Sequence, residues 1–317
     1  MVTGGAGFIG SHVIRRLLNE NYRVVCVDNF DQAYSINFKH QNISPFNNFS
    51  YFSLKKVDIC NFKKIKDIFQ SENIESVIHL AAKTGVRNSL IDPLAYEKIN
   101  IGGTYTMLYL AYMYKVKRFV FASSSSIYGN GKVPFRENQI VNDPLSPYAC
   151  SKRSAELACF TFHKAYGLPV TILRLFSVYG PSGRPDMAPY RFTEAIFQGK
   201  QIVQFGDKSI ARDWTYIDDA ADGIFRALTH PTSFTILNLG SGKPITTSEL
   251  IKHIENLCRK KAGIKHSPRR REESLITYAN NTKAYRDLGW KPKVPIKEGL
   301  TNFVEWYKEN RLHDKKI

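Results

Sequence analysis

Two patterns of apolar and polar positions alternate along the first 176 residues. Short continuous apolar runs indicate buried strands, and longer stretches with apolar residues three and four positions apart indicate amphipathic helices. Strands are predicted at 23–29, 76–82, 118–125 and 170–176, and helices at 61–70, about 93–114 and 148–167. This alternation predicts βαβ units and hence an α/β fold with a parallel, doubly wound sheet.

Beyond residue 176 the pattern changes to turns rich in Gly, Pro and Asp with shorter elements. A run at 235–240 is able to return to the sheet, whereas 246–260 and 297–309 have helical patterns. We therefore expect residues 1–176 to form a Rossmann domain and residues 177–317 to form mainly a smaller C-terminal lobe. Ligands of open α/β sheets lie outside the carboxyl ends of the strands, so this lobe should cover that edge.

The chain begins with a glycine-rich turn, MVTGGAGFIGS, that runs into a helical pattern. Gly4, Gly7 and Gly10 are spaced three apart, and such a turn lets the backbone approach a pyrophosphate at a helix N-terminus. Asp28 ends the next predicted strand, where a carboxylate accepts hydrogen bonds from the adenosine ribose and repels a 2′-phosphate. The order and spacing predict a dinucleotide site that favours NAD over NADP.

The first predicted strand is unusually short. Only Met1, Val2 and Thr3 precede Gly4, whereas a typical strand has about five or six residues. We expect an upstream stretch to complete this strand, which would be central in a sheet of this kind.

Composition narrows the classes of partner. The 317 residues carry a formal net charge of +17. A charge of this size favours an anionic partner. Lysine and arginine are spread along the chain with one dense cluster at 268–271, which favours a solvated basic surface, and a small polyanionic substrate also fits. No apolar run approaches the roughly 20 residues of a membrane span, and no signal peptide precedes the glycine turn, so we expect a cytoplasmic protein.

The cysteines give no sign of a metal or disulfide framework. Their spacing matches neither a zinc site nor a small disulfide-bonded scaffold, and we expect no metal site and free, mostly buried thiols. The five cysteines are Cys26, Cys60, Cys150, Cys159 and Cys258.

Candidate chemistry comes from a Y-x-x-x-K motif. Tyr148 and Lys152 are four residues apart and share one helix face. A phenol with an ordinary pKa near 10 is a poor base, but a nearby ammonium favours its deprotonated form. The serine run at 124–126 ends the preceding strand, on the edge where the cofactor is expected. Together these residues predict a base for an alcohol proton.

These motifs, in this order, resemble the extended short-chain dehydrogenase/reductase superfamily over nearly the whole chain. The matching segments are TGGAGFIG at 3–10, Asp28, VDI at 57–59, HLAA at 79–82, NIGGT around Asn100, the serine run before IYG, and YACSK at 148–152. The resemblance implies Ser124, Tyr148 and Lys152 as catalytic residues. It implies an NAD site formed by Gly4, Gly7, Phe8, Ile9, Asp28, Asp58, Ile59, Leu80, Ala81, Ala82, Asn100, Tyr148 and Lys152.

Within that superfamily, the serine run separates reactions. Nucleotide-sugar dehydratases place an Asp-Glu pair immediately before the tripeptide that corresponds to I-Y-G, and decarboxylases place a Glu one residue into that turn. This chain has Ser125 and Ser126 there, followed by Ile127 and Tyr128. The resemblance therefore implies epimerisation, with Ser125 and Ser126 against the substrate.

The segment RLFSVYGPSGRPDMAPYRFTEAIFQGK at 174–200 resembles the corresponding loop of UDP-glucuronate 4-epimerases, and ARDWTYIDDAADGI at 211–224 resembles their RDFTYIDD segment. UDP-galactose 4-epimerases have Asn in place of Ser177 and lack the GRPDM run. By this resemblance, Ser177, where the family usually has Thr, and Arg184 would hold the sugar carboxylate.

Three more arginines are candidates for the substrate site. By resemblance Arg212 would pair with the UDP diphosphate, a task suited to a forked guanidinium. Arg270 is a candidate for a second phosphate contact, although Glu272 replaces the usual glycine of that loop. Arg87, in TGVRNS, is similar to a segment of the glucuronate enzymes that approaches the substrate, but a surface role fits it equally well.

The expected reaction is a hidden redox cycle that converts UDP-glucuronate to UDP-galacturonate through a 4-keto sugar, with retained NAD. The alternatives are a UDP-glucose/UDP-galactose 4-epimerase, a UDP-glucuronate decarboxylase, a non-catalytic NAD-binding scaffold, and a nucleic-acid-binding protein. Relatives of this kind are often homodimers that pack the helices near 93–114 and 148–166 together. Apolar residues suited to such packing are Leu108, Tyr109, Tyr112, Phe160 and Phe162.

Overall fold

The strands and helices alternate as the sequence predicts. The computed structural model describes residues 1–207, 209–230 and 232–312. Its strands are β1 (Val2–Thr3), β2 (Val24–Asp28), β3 (Phe52–Lys56), β4 (Ser76–His79), β5 (Arg118–Ser124), β6 (Val170–Leu175), β7 (Ser177–Tyr179), β8 (Ile202–Phe205), β9 (Ala211–Tyr216), β10 (Phe234–Leu239), β11 (Pro244–Thr246) and β12 (Ile264–Ser267).

The α-helices flank these strands. They are α1 (Phe8–Asn19), α2 (Ile36–Ile43), α3 (Phe62–Glu72), α4 (Val86–Ile91), α5 (Pro93–Tyr96), α6 (Gly103–Met113), α7 (Pro147–Tyr166), α8 (Ala188–Phe197), α9 (Ile217–Thr229), α10 (Thr247–Cys258), α11 (Thr282–Leu288) and α12 (Ile296–Asn310). A π-helical turn (Glu97–Gly102) joins α5 to α6, so the long helix predicted at 93–114 is interrupted.

The central sheet has the order β10-β6-β5-β4-β1-β2-β3, and all of its pairings are parallel. This arrangement confirms the predicted doubly wound sheet, and β10 confirms that the chain returns to it. Chain order reverses between β1 and β4, which creates the crevice where such sheets bind ligands. Although β1 has two residues, it is central and pairs with both β2 and β4.

Both faces of the sheet are buried. Along β2, Val24 and Cys26 pack into the core on one face, whereas Val25 and Val27 pack into the core on the other. Helices α3, α6 and α7 cover the second face, and α1 and α9 cover the first. This double burial explains why the strands are continuous apolar runs instead of alternating patterns.

The boundaries of α7 follow from its end residues. The Ser146 hydroxyl accepts a hydrogen bond from the Ala149 amide at the N-terminus, and Gly167 ends the helix with a φ of +70°. A serine cap satisfies a free amide of the first turn, and glycine adopts the left-handed conformation without strain. The predicted helix at 148–167 is thereby confirmed, and its first turn places Tyr148 at the edge of the sheet.

A smaller lobe lies beyond β6. It contains a three-stranded sheet of order β11-β9-β7, a two-stranded sheet of β8 and β12, and the helices α8, α10 and α12, which pack together. The sequence did not predict β12, whose residues are mostly exposed and polar. Within the described ranges, no helix is both long and apolar enough to cross a bilayer.

Candidate active site

A cavity of about 1110 Å³ opens at the carboxyl edge of the central sheet, between the sheet and the smaller lobe. Every residue predicted for cofactor or substrate binding lines it except Asn100. Asn100 lies behind the wall, where its amide bonds both backbone polar groups of Lys83 and the Ser151 hydroxyl. These bonds fix the segment after β4, and the cofactor contact predicted for Asn100 stays a prediction.

The glycine turn forms one end of the cavity. Gly4 has a φ of +68°, and a Cβ there would lie 2.8 Å from the Ala81 backbone nitrogen, so only glycine fits. Gly7 begins α1, and no side chain caps the free amides of the first turn. Amides and a helix dipole directed into a cavity bind phosphate. This end of the cavity therefore fits a dinucleotide pyrophosphate.

The Asp28 carboxylate lies at the end of β2 beside this turn. Its oxygens accept hydrogen bonds from the amides of Ala6 and Phe30 and from the Lys39 ammonium, which is 3.1 Å away. Ionised carboxylates have about four acceptor positions, so these three donors leave room for a ribose hydroxyl. The geometry fits the predicted ribose contact.

Asp58 and Ile59 form the wall next to Asp28. The Asp58 carboxylate accepts hydrogen bonds of 2.8 Å from Asn29 Nδ2 and from the Cys60 amide. Burial acts to raise the pKa of Asp58, but these donors hold it below its ordinary value. The group thus remains an anionic acceptor, as recognition of adenine amino groups requires.

The three candidate catalytic residues converge at the centre of the cavity. Ser124 ends β5, and Tyr148 and Lys152 lie on the first turns of α7. Burial raises the pKa of Tyr148, whereas a hydrogen bond with Ser124 and the positive charge of Arg184 oppose that rise. Burial also lowers the pKa of Lys152 to about 8, and its ammonium donates to the Ala122 carbonyl at 2.8 Å.

This result differs from one expectation. We expected Lys152 to lower the pKa of Tyr148, but Ser124 and Arg184 are the groups that oppose its rise here. The ammonium of Lys152 is held instead by the strand carbonyl and lies 5.0 Å from the centre of the Phe121 ring.

The serine run forms a tight turn at this centre. Ser124 Oγ accepts from the Ser126 amide and donates to Ser126 Oγ, both at 3.1 Å. Ser125 and Ser126 line the cavity as predicted. No carboxylate stands at either position, so this turn offers hydroxyl groups and no acid.

Ser177 and Arg184 lie on the loop side of the cavity. Arg184 Nε donates to Asp186 Oδ1 at 2.9 Å, and Nη2 donates to Asp186 Oδ2 at 2.5 Å. The charge of Arg184 acts on the phenols of both Tyr148 and Tyr34. A guanidinium thus stands beside the reacting centre, where the sequence predicts a carboxylate-binding group.

The other candidate arginines meet around two carboxylates of the 268–274 loop. Arg87 and Arg212 both pair with Glu273, at 3.0 Å and 3.3 Å, and Arg270 lies 3.8 Å from Glu272. The guanidinium carbons of Arg87 and Arg270 lie 5.2 Å and 3.9 Å from the centre of the Phe205 ring. Arg87 lines the cavity with a side chain that is 37% exposed, so the substrate role and the surface role considered for it both stay predictions.

Comparison with known proteins fits this geometry. The family model of GDP-mannose 4,6 dehydratase matches residues 1–303. The chain belongs to this family. A UDP-glucuronate 4-epimerase of Thermodesulfobacterium geofontis is 44% identical over 311 residues, which cover 98% of this chain and 96% of the relative.

Solved structures of this family superpose closely. A UDP-glucuronic acid 4-epimerase from Bacillus cereus, in complex with UDP-glucuronic acid and NAD, has a TM-score of 0.92 at 34% identity and covers 97% of this chain and 98% of its own. A UDP-glucose 4-epimerase from Thermotoga maritima, with UDP-glucose, has a TM-score of 0.90 at 33% identity with the same coverage. The resemblance to extended short-chain dehydrogenases/reductases is confirmed.

The sequence analysis missed several charged residues of this cavity. Lys39 pairs with Asp28, and the Glu273 carboxylate joins two arginines. Arg191 lines the cavity too, and burial together with Arg87 and Arg270 lowers its pKa. The sequence offers only weak signals for a site role of Lys39, eleven residues after Asp28, and of Arg191, seven residues after Arg184. Charged residues at such spacings usually face solvent.

Proposed function

We propose that this protein is an NAD-dependent UDP-glucuronate 4-epimerase that forms UDP-galacturonate. The observation that carries the proposal is that Arg184 and Tyr148 line the same cavity, where the charge of Arg184 opposes the rise that burial causes in the pKa of Tyr148. A sugar held with its C4 hydroxyl at Tyr148 would thus bring a C5 carboxylate to a cation. The similarity to UDP-glucuronate 4-epimerases supports the same assignment.

The residues of the cavity fit NAD. The turn at Gly4 and Gly7 would hold the pyrophosphate, Asp28 the adenosine ribose, and Asp58 with Ile59 the adenine. The bound dinucleotide would accept the C4 hydride and return it, so that no net redox change occurs. We assign residues 1–176 mainly to this cofactor and residues 177–317 mainly to the UDP-sugar.

The protein side chains supply the proton chemistry. Tyr148 would remove the C4 hydroxyl proton as the hydride leaves, and Ser124 would hold the same oxygen through a hydrogen bond. Lys152, whose ammonium is held against β5 by the Ala122 carbonyl, would bind the nicotinamide ribose. The 4-keto sugar would turn within the cavity, so that the hydride would return to the other face of C4 while Tyr148 returns the proton to the C4 oxygen.

Two other reactions are disfavoured by particular residues. The serines at 125 and 126 leave the turn without the acid that dehydratases and decarboxylases carry there. The Thermotoga maritima structure shows that a UDP-glucose epimerase shares the fold. A neutral sugar, however, would offer no carboxylate to Arg184, whose Nη1 makes no hydrogen bond or ion pair with the residues that the structure describes.

The first test is to incubate the purified protein with UDP-glucuronate, without added NAD, and to separate the UDP-sugars chromatographically. We expect UDP-galacturonate and residual substrate, and we expect Tyr148→Phe to remove turnover while UDP still binds. UDP-pentose as the main product would show a decarboxylase. Turnover of UDP-glucose alone, with and without NAD, would show a neutral-sugar epimerase.

We also propose a cytoplasmic homodimer. All five cysteines are free thiols, as in reducing compartments. Helices α6 and α7 share an apolar surface that consists of Tyr105, Tyr109, Tyr112, Met113, Leu157, Phe160 and Tyr166, each at least 39% exposed. Of the residues considered from sequence, Leu108 and Phe162 are buried in the core and do not belong to this surface.

A further inference from the structure

The loop between β7 and α8 holds Arg184 in an unusual way. Asp186, two residues further along, takes the side edge of the guanidinium, which consists of Nε and Nη2. Nη1 makes no hydrogen bond or ion pair within the part of the chain that the structure describes. The protein therefore fixes the side edge of the guanidinium and leaves its end edge, which consists of Nη1 and the second hydrogen of Nη2, for a ligand.

The two side chains differ in exposure. Arg184 is 22% exposed and Asp186 is 49% exposed. Both residues line the cavity, the arginine is the more buried of the two, and its charge acts on the phenols of Tyr148 and Tyr34. Attraction by Arg184 and Arg191 outweighs the effect of burial and keeps the pKa of Asp186 below its ordinary value, so the pair is charged at neutral pH.

We infer that Asp186 is a positioning residue, which holds the side edge of Arg184 so that its remaining edge receives the C5 carboxylate of the sugar. The inference rests on the proposed function. A bidentate pair fixes the plane of a guanidinium, and a fixed plane selects the direction from which a second carboxylate approaches. Asp186 thus determines both uronate recognition and the orientation of the bound carboxylate.

That orientation matters for the reaction product. Oxidation at C4 makes the substrate a β-keto acid. The C5–carboxylate bond breaks when it aligns with the π system of the C4 carbonyl. Its electron pair then forms an enolate across C4 and C5, and the carboxylate leaves as carbon dioxide. Protonation at C5 then gives a UDP-4-ketopentose, which the retained hydride can reduce to UDP-pentose. A rigidly held carboxylate keeps the bond out of alignment, so only epimerisation follows.

The test compares Asp186→Ala and Asp186→Asn with Arg184→Ala and with Asp67→Asn, an exposed acidic residue on α3 outside the cavity. For Asp186→Ala we expect KM for UDP-glucuronate to rise about tenfold, as the loss of a charge-assisted pair predicts, and UDP-pentose to appear among the products. Asp186→Asn, which keeps one acceptor, should lie between wild type and Asp186→Ala. Arg184→Ala should show both effects more strongly, and Asp67→Asn neither.

A binding measurement separates this role from general damage to the loop. The dissociation constant of UDP, which lacks the sugar carboxylate, should stay within about twofold in Asp186→Ala when measured calorimetrically. Equal weakening of UDP and UDP-glucuronate would overturn the inference. Tighter binding of UDP-glucuronate would overturn it too, because Asp186 would then be a competitor for the fork.

The outcomes also distinguish the inference from the function on which it rests. Unchanged KM and products in Asp186→Ala, with wild type active on UDP-glucuronate, would reject the positioning role alone. Wild-type protein that binds UDP-glucuronate no better than UDP-glucose and does not epimerise it would reject the proposed function, and the inference with it.

Discussion

His79 shows how a buried polar residue is fixed by its partners. It is 1% exposed at the end of β4, with Nδ1 2.7 Å from the Thr3 hydroxyl and Nε2 3.2 Å from the Thr104 hydroxyl. Thr104 donates to the Asn100 carbonyl and Thr3 accepts from the Ala81 amide. The Thr3 hydroxyl is therefore free to donate to Nδ1, and the Thr104 hydroxyl accepts from Nε2. This pattern requires a neutral imidazole that carries its proton on Nε2.

This neutral ring makes the fold sensitive to acid. Burial lowers the pKa of His79 to about 3 and that of His12 to about 4. The unfolded chain binds these protons near pH 6.5, so stability present above pH 6.5 is lost as the pH falls toward 4 and then 3. Each histidine contributes a slope of about 1.4 kcal/mol per pH unit across its interval.

We expect the urea midpoint of the wild-type protein to fall steeply between pH 6.5 and 4. In the His12→Gln and His79→Asn variants the midpoint should fall less steeply over the same interval, although both variants should be less stable than wild type at pH 7. His266→Asn, at an exposed position, is the control and should leave the slope unchanged. Variants with the same slope as wild type would show that other groups cause the acid sensitivity.

At the scale of elements, a buried ion pair ties α7 to the sheet. Glu156, on α7, accepts two hydrogen bonds of 2.9 Å from Arg174 on β6 and one of 2.6 Å from Ser123 on β5. Arg174 also donates to the Tyr128 hydroxyl in the turn after β5. The pair is at most 2% exposed. It therefore fixes the helix of Tyr148 and Lys152 relative to the strand of Ser124.

Breaking this pair should be costly, because Arg174 would remain buried with only neutral acceptors and Glu156 would keep only the more exposed Arg153 as an ionic partner among the described residues. We expect Glu156→Met and Arg174→Met each to lower the free energy of unfolding by about 3–5 kcal/mol, and the double variant Glu156→Met/Arg174→Met to lower it by less than the sum. Denaturant titration of the four proteins measures the coupling.

The exposed pair Lys117–Glu75 provides the matched control, since solvent screens it and its loss should change stability little. Additive effects at Glu156 and Arg174 would contradict the expected coupling.

The helix pattern at 93–114 shows the limit of periodicity at this scale. Apolar spacing predicted one helix, but the chain forms α5, a π-helical turn and α6. The turn contains Asn100, whose side chain bonds Lys83 and Ser151. These bonds join residues 17 and 51 positions away, so a local pattern could not show why the helix widens there.

At the scale of the whole molecule, the exposed apolar surface of α6 and α7 predicts assembly. We expect a particle of twice 36.2 kDa by light scattering, and a monomer for Leu157→Glu, because a carboxylate in an apolar interface lacks a partner. Leu157 is 50% exposed, so the change should leave the fold of the monomer intact. Ile140→Glu, at a residue that is 86% exposed outside these helices, should leave assembly unchanged. A wild-type monomer would contradict the proposal.

The sequence by itself determined the strands of the central sheet other than β3, the glycine turn, and the positions of Ser124, Tyr148 and Lys152. These features depend on local patterns, since apolar runs, glycine spacing and strand ends are fixed by residues close together in the chain. The tertiary structure alone decided which charges meet. Glu273 joins Arg87 across 186 positions, and Lys39 folds back on Asp28. It also decided which face of α6 and α7 stays exposed, because burial depends on the elements that pack against a helix and not on the helix itself.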